Sequence, residues 1–150
     1  MSSKPTASEL ISRAHVAHGA GDLESAARIY SESAARGDAT KDDTLAALNG
    51  LRATARRLAA ITVAENALRK WPDSPMFLVH AADTYLEAGD LDGAIRCLEQ
   101  ITEFCPDKSR YWVRLAHVYS IAERWADAES AFATALSISP MDLVALSGRG

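Results

Sequence analysis

The sequence predicts an all-α protein built from repeated antiparallel helix pairs, and three observations support that prediction. Hydrophobic residues make up 48% of the 150 residues and charged residues 24%, which is typical of a globular domain with a core. There are only five prolines, so long stretches of the chain contain no helix breaker. Three of them, Pro72, Pro106 and Pro140, are spaced 34 residues apart. A fixed period of this length indicates stacked helical repeats.

Small and apolar residues recur with the same period of 34 residues. The matching rows are Ala14, Leu48, Ala82 and Ala116; Ala17, Leu51, Tyr85 and Tyr119; Ala26, Ala60, Ala94 and Ala128; and Tyr30, Ala64, Leu98 and Phe132. Small residues allow the two helices of a pair to approach closely, and the larger residues would fill the space between pairs. Each repeat is therefore expected to hold two amphipathic helices joined by a short turn.

Eight helices are predicted, and local signals mark their limits. They are expected at 7–19, 22–36, 41–54, 57–70, 75–88, 91–104, 109–122 and 125–138. Gly21 and Gly89 suit the turns after the first and fifth helices, because glycine accepts a positive φ. Each proline of the 34-residue series ends a second helix, since the residue before proline disfavours helical geometry. Asp107 is expected to start the seventh helix and Asp142 a ninth, as side-chain caps.

The periodic residues resemble the tetratricopeptide repeat, whose pattern is W-x2-L-G-x2-Y, then A-x3-F, then P. In the last repeat the pattern falls on Trp112, Leu115, Ala116, Tyr119, Ala128, Phe132 and Pro140, with Ala116 in place of the glycine. The earlier repeats keep the same register without insertion or deletion, and the first lacks the closing proline. The resemblance implies a right-handed superhelical solenoid of about four repeats.

On this reading, residues 1–6 form a tail and the repeats occupy about 7–40, 41–74, 75–108 and 109–142. Residues 143–150 would begin a truncated fifth repeat or a capping helix. Because a solenoid normally needs a polar cap, we expect the chain to be a fragment of a larger protein.

The resemblance also implies a function, because the first helices of such repeats line a concave groove that binds a peptide or helix of a partner protein. The predicted partner-binding residues on this face are His15, Asn49, Arg52, His80, Asp83, Glu87, Arg110, Arg114 and His117. An apolar stripe on the same face would either hold the peptide or simply mark incompletely covered helices. It consists of Ile11, Leu45, Met76, Val79 and Val113.

Arg110 and Arg114 lie one helical turn apart, at places that with Asn49 resemble the carboxylate clamp of chaperone-binding members of the family. Leu45 and His80 depart from the residues expected in that clamp. The alternative is that the two arginines pair with Asp83 and Glu87 of the preceding repeat, and we favour this alternative.

The sequence contains no motif of a common catalytic or nucleotide-binding site, so we expect no enzyme activity and no cofactor. All four histidines fall on the groove face, yet no third ligand accompanies His15 and His18, so no metal site is expected. A net charge of −4 and a pI of about 5.5 argue against nucleic acid as a partner. No run of 18 apolar residues is present, which argues against membrane insertion.

Cys97 and Cys105 form no C-x-x-C pair and are interpreted as ordinary thiols of a reducing compartment, which favours a cytoplasmic location. Two further possibilities stay open. The chain could be the regulatory or substrate-recruiting repeat region of a larger enzyme such as a glycosyltransferase or sulfotransferase. It could also self-associate through an uncapped last helix pair.

Overall fold

A computed structural model describes residues 4–139 of the chain, and this range contains eight α-helices and no strand. The helices are α1 (Ala7–Gly19), α2 (Leu23–Ala35), α3 (Lys41–Ala53), α4 (Arg57–Lys70), α5 (Pro75–Glu87), α6 (Leu91–Phe104), α7 (Ser109–Ile121) and α8 (Trp125–Ile138). All eight predicted helices are confirmed, each within one residue at both ends. The helix predicted near 142 and the segment 143–150 lie outside the described residues.

The helices divide into two compact units, with the boundary between Pro72 and Asp73. In unit 1, which holds α1 to α4, α1 packs on α2, α2 on α3 and α3 on α4. In unit 2, which holds α5 to α8, α5 packs on α6, α6 on α7 and α7 on α8. Each unit therefore contains two antiparallel helix pairs, and the second helix of its first pair contacts the first helix of its second pair.

The turn inside every pair has the same backbone geometry. A residue with positive φ follows the first helix in each case: Gly21 (84°), Ala55 (58°), Gly89 (82°) and Glu123 (62°). The next amide then donates to the carbonyl five residues back, as from Asp22 to Ala17 at 2.9 Å. The two glycines confirm the predicted turns, whereas Ala55 and Glu123 adopt this geometry without the advantage of glycine.

Side-chain caps begin five of the helices. Thr6, Asp22, Thr40, Ser74 and Asp90 each accept a hydrogen bond from a free amide of the first turn. At α3 the cap is reciprocal, because the Asp43 carboxylate also accepts from the Thr40 amide at 3.1 Å. The prediction that Asp107 caps α7 is wrong: the helix starts after Lys108, without a side-chain hydrogen bond at its cap.

The polar segment between α2 and α3 is tied to the start of α1. Ser33 donates to the Ala7 carbonyl at 2.8 Å, and the Ala7 amide donates to the Asp38 carboxylate at 3.3 Å. Ser8 donates to the carboxylate of Asp43 at 2.8 Å. The bond to Asp38 satisfies the Ala7 amide, one of the first-turn N–H groups of α1 that have no intrahelical acceptor.

Alanine lines the closest helix contacts, as the periodic rows predict. Ala14, Ala26, Ala82, Ala94 and Ala116 are each at most 1% exposed. Larger side chains occupy the remaining space, and Tyr30 in unit 1 and Phe77 in unit 2 are the largest that are fully buried. Close packing of this kind leaves the polar residues of each helix on its other face.

Candidate protein-binding surface

Unit 2 carries six of the predicted binding residues on its two first helices. Its α5 buries one face through Phe77, Leu78, Ala81, Ala82 and Thr84, and α7 does so through Tyr111, Leu115 and Ala116 among others. The polar residues lie on the remaining faces. We call this set the unit 2 surface: His80, Asp83 and Glu87 on α5, with Arg110, Arg114 and His117 on α7.

An ion pair connects the two helices of the unit 2 surface. Nη1 of Arg114 lies 2.9 Å from Oδ1 of Asp83, with hydrogen-bond geometry. The Arg114 side chain is 48% exposed and that of Asp83 is 25% exposed, so the pair stabilises the fold by only about 0–1 kcal/mol. The pairing of Arg114 with the preceding repeat, which the sequence predicts as the alternative to a clamp, is confirmed for this residue.

Arg110 differs from Arg114 although both face solvent. It donates to the hydroxyl of its neighbour Tyr111 at 3.3 Å, and its guanidinium carbon lies 4.9 Å from the centre of that ring. The hydrogen bond to Tyr111 raises the pKa of Arg110. The contacts of Arg110 thus hold its charge on α7 itself. It faces solvent one helical turn before Arg114, which pairs with Asp83.

Two histidines of the unit 2 surface are partly engaged in packing. The ring of His117 meets Phe132 edge to face, with 5.5 Å between ring centres. His80 is half-buried on α5, whereas Glu87 near the end of the same helix is exposed. The exposed charge of this surface is therefore carried chiefly by Glu87, Arg110 and Arg114.

In unit 1 the predicted binding residues are His15 on α1, with Asn49 and Arg52 on α3. Asn49 is exposed and Arg52 half-buried. Nδ1 of His15 lies 2.9 Å from the Tyr30 hydroxyl and Nδ1 of His18 lies 3.4 Å from it. The two imidazoles thus satisfy a phenol whose residue is wholly buried, a structural role for His15 and His18 that sequence reasoning missed.

The signal for that role was present in the sequence but not specific. His15 and His18 lie at i and i+3, so they share one face of α1. Tyr30 is the only aromatic residue of the first repeat and occupies a core row, and a buried tyrosine needs a hydrogen-bond partner for its hydroxyl. No spacing rule connects residues 15 and 30, since they lie on different helices.

The predicted apolar stripe needs correction at two positions. Ile11 is 8% exposed and Val113 is 3% exposed, so neither is available to a partner. Both residues lie at the edge of the stripe that adjoins the core face of the helix, so they are buried with the core. Leu45, Met76 and Val79 are half-buried and retain some accessible apolar surface.

Groups that could support other chemistry are few in residues 4–139. In this range no cluster of three or more histidine, cysteine or acidic side chains could hold a metal ion. Burial raises the pKa of the Cys97 thiol to about 11, so this thiol is protonated near neutral pH. None of the described helices is both long and apolar enough to cross a membrane.

Comparison with known proteins agrees with the helix pairs and their spacing. Residues 51–118 match a family model described as tetratricopeptide repeat. Residues 51–118 therefore carry tetratricopeptide repeats, as the periodic residues predict. No curated protein sequence matches the chain. Its helical repeats form the solenoid fold of this family, as predicted.

Solved structures with the same fold cover nearly all of the chain. YrrB, described as a TPR protein with an unusual peptide-binding site, has a TM-score of 0.74 and 16% identity, over 95% of this chain and 74% of that one. MamA from Desulfovibrio magneticus RS-1 has a TM-score of 0.71 and 18% identity, over 99% and 84%. A tetratricopeptide repeat protein from Parabacteroides merdae has a TM-score of 0.73 and 19% identity, over 95% of this chain and 57% of that one.

Identity this low establishes a common fold and not a common partner. Stacked helix pairs offer extended surfaces for binding other proteins, and in general terms the fold supports a protein-interaction scaffold.

Proposed function

We propose that the protein is an interaction scaffold and that a peptide or helix of a partner protein binds to the unit 2 surface. The observation that carries this proposal is the position of Arg110 and Arg114, one turn apart and both exposed, on a helix face that also meets Asp83. The peptide-binding site named for YrrB, a protein of the same fold, supports it.

The chemistry of the surface favours a partner with an acidic group. A guanidinium has five N–H donors, and Arg114 contacts Asp83 through one nitrogen, Nη1. Its remaining donors and those of Arg110 can bond a carboxylate, with the planar geometry that favours two parallel hydrogen bonds. The half-buried Met76 and Val79 on α5 would add apolar contact to the same partner.

Within unit 1, the exposed Asn49 and the half-buried Arg52 on α3 would form a separate, weaker contact with a partner. His15 is less suited to partner binding than predicted, because the Tyr30 hydroxyl already occupies its Nδ1. His15 would bind a partner only through its other ring nitrogen, Nε2.

The experiment is a pull-down from native extract, followed by titration of the captured partner's peptide against defined variants. Arg110→Ala with Arg114→Ala should weaken binding at least about tenfold, since each lost charged hydrogen bond costs about 1.5–3 kcal/mol. Arg69→Ala with Arg96→Ala removes the same charge from two exposed positions on second helices and should bind normally. Equal binding by all three proteins would exclude the unit 2 surface.

A second variant makes the test more specific because it acts in the opposite direction. Asp83→Asn removes the carboxylate that competes for Arg114. It should therefore tighten the binding of an acidic peptide several-fold, whereas a partner that contacts Asp83 itself should bind less tightly. Weaker binding would thus show that the partner is basic at this position.

The role as a regulatory or substrate-recruiting region of a larger enzyme is a second proposal, which the reading frame beyond Gly150 tests directly. A catalytic domain encoded there would favour it over a scaffold alone. The two free thiols support a reducing, cytoplasmic location, which cell fractionation would check.

A further inference from the structure

The two units carry opposite net charge. Residues 1–72 contain ten basic and eight acidic side chains, whereas residues 73–150 contain six basic and twelve acidic ones. Unit 1 therefore has a net charge of +2 and unit 2 of −6, with histidine neutral. Such an asymmetry allows one copy of a protein to attract another in a particular orientation.

Two adjacent arginines of unit 1 lie at one exposed turn. Arg56 and Arg57 begin α4, and the next residue, Leu58, is 82% exposed. Neither arginine takes part in an ion pair among residues 4–139. The first turn of α4 contains no acidic residue and its cap has no side-chain hydrogen bond, so the partial positive charge of the helix end is also uncompensated. We call Arg56, Arg57 and Leu58 the basic turn.

The corresponding turn of unit 2, two repeats later, keeps one arginine, Arg124, which pairs with Asp127 at 2.9 Å, and adds two glutamates and two exposed apolar residues. Ile121 at the end of α7 is 60% exposed and Trp125 at the start of α8 is 65% exposed. Glu123 lies between them, and Glu129 follows Trp125 by one helical turn. Both glutamates are exposed, and within the part of the chain that the structure describes neither forms an ion pair. We call Ile121, Glu123, Trp125 and Glu129 the acidic turn.

We infer that two copies of the protein associate, with the basic turn of one copy against the acidic turn of the other. The arginines would pair with the glutamates, and Leu58 would pack against Trp125 and Ile121. Exposed ion pairs are individually weak and the apolar contact is small, so association needs both, and the charges also determine which turns meet. The partner is a second copy because one chain carries both complementary turns.

This contact joins two different surfaces, so a variant that lacks one turn can still pair through its other turn. Association should increase as the protein concentration rises. The contact contains no residue of the unit 2 surface, so its failure would not affect the proposed peptide binding.

Sedimentation velocity over a concentration series tests the inference on the full chain. At low ionic strength we expect the weight-average sedimentation coefficient to rise with concentration. At about 0.5 M salt, where the screening length falls to a few ångströms, the rise should disappear. Arg56→Gln with Arg57→Gln should remain monomeric under both conditions, and so should Glu123→Gln with Glu129→Gln.

The decisive sample is an equimolar mixture of these two double variants. One retains only the acidic turn and the other only the basic turn, so together they should form a 1:1 dimer that does not grow. A control that loses the same charge at exposed positions elsewhere, Arg28→Gln with Arg69→Gln, should associate like the parent protein. Circular dichroism would verify that every variant is folded.

Three results would overturn the inference. The first is a parent protein that stays monomeric at all concentrations and low salt. The second is a mixture of the two variants that gives no dimer although the parent associates. The third is a control variant that loses association as completely as the basic-turn variant, which would show that overall charge matters and the turn does not.

Discussion

Units 1 and 2 each place a tyrosine ring against a glycine inside a helix, but they do so in different places. In unit 1 the ring of Tyr30 on α2 lies against Gly50 on α3, which belongs to the next helix pair. In unit 2 the ring of Tyr85 on α5 lies against Gly93 on α6, within one pair. Tyr30 is wholly buried, whereas Tyr85 is half-buried.

Both glycines are used where a side chain would collide with the ring. A Cβ atom on Gly50 would overlap the Tyr30 ring, and one on Gly93 would lie 2.8 Å from Cγ of Tyr85. Glycine inside a helix costs about 0.5–1 kcal/mol relative to alanine, so its presence needs a compensating contact. The 34-residue period therefore determines where the helices lie. It does not determine which helix of a unit carries the tyrosine ring that packs on a glycine.

The largest expected effect is the removal of the buried ring in unit 1. Tyr30→Ala should reduce the free energy of unfolding by about 3–5 kcal/mol, because it leaves a cavity beside Gly50. Urea denaturation followed by circular dichroism measures this. The matched control is Tyr85→Ala, which should cost clearly less because Tyr85 is only half-buried. An equal or larger loss for Tyr85→Ala would contradict the comparison.

Overpacking the same contact should have a smaller effect. Gly50→Ala should destabilise the protein by about 1–3 kcal/mol, since the clash with Tyr30 outweighs alanine's better helix propensity. In a Tyr30→Leu background the same change should be close to neutral, and a double-mutant cycle measures this coupling. Gly93→Ala should cost less, because the half-buried Tyr85 can shift. Strictly additive effects at positions 30 and 50 would be inconsistent with a direct contact.

The polar end of the buried ring should contribute less again. Tyr30→Phe removes the bond to His15 at 2.9 Å and should lower the free energy of unfolding by about 0.5–1.5 kcal/mol. His15→Ala should produce a similar loss, and the double variant little more than either alone. If His15→Ala has no effect, the exposed histidine does not support the phenol in solution.

The effect that is smallest at neutral pH, and grows only at alkaline pH, concerns a buried tyrosine hydroxyl of unit 2. Tyr119 donates to Glu99 at 2.8 Å, and burial together with this bond raises the pKa of Tyr119 to about 12. Because the folded pKa exceeds the usual value of 10.0, the contribution to stability is present below about pH 10 and lost as pH rises towards 12. Ultraviolet titration of tyrosinate should show a late phenol that Tyr119→Phe removes. A titration that Tyr119→Phe leaves unchanged would disprove the assignment.

Much of the fold could be predicted because its signals are local. Gly21 and Gly89 mark turns through their own backbone freedom, and the prolines stop helices through their own ring. Ala55 and Glu123 show the limit of such signals, because surrounding helices impose a left-handed turn on residues that do not favour it. Asp107 shows another limit, since a good capping residue is not used when the helix begins one residue later.

The candidate site could be predicted only at the level of helix faces. Periodicity places Arg110 and Arg114 on one face, but only the packing of α7 beside α5 directs Arg114 to Asp83 and leaves Arg110 on Tyr111. Likewise, Ile11 and Val113 lie between the groove face and the core face of their helices. Packing against neighbouring helices buries both.

The sequence by itself determined the eight helices of residues 4–139, their limits and the likeness to the tetratricopeptide repeat, because these depend on residue type and spacing along the chain. The tertiary structure alone decided the Tyr30–Gly50 contact, the histidines that hold the Tyr30 hydroxyl and the partner of each arginine. The physical reason is that these contacts join residues on different helices, and side-chain shape at the helix interface selects among positions that the repeat treats as equivalent.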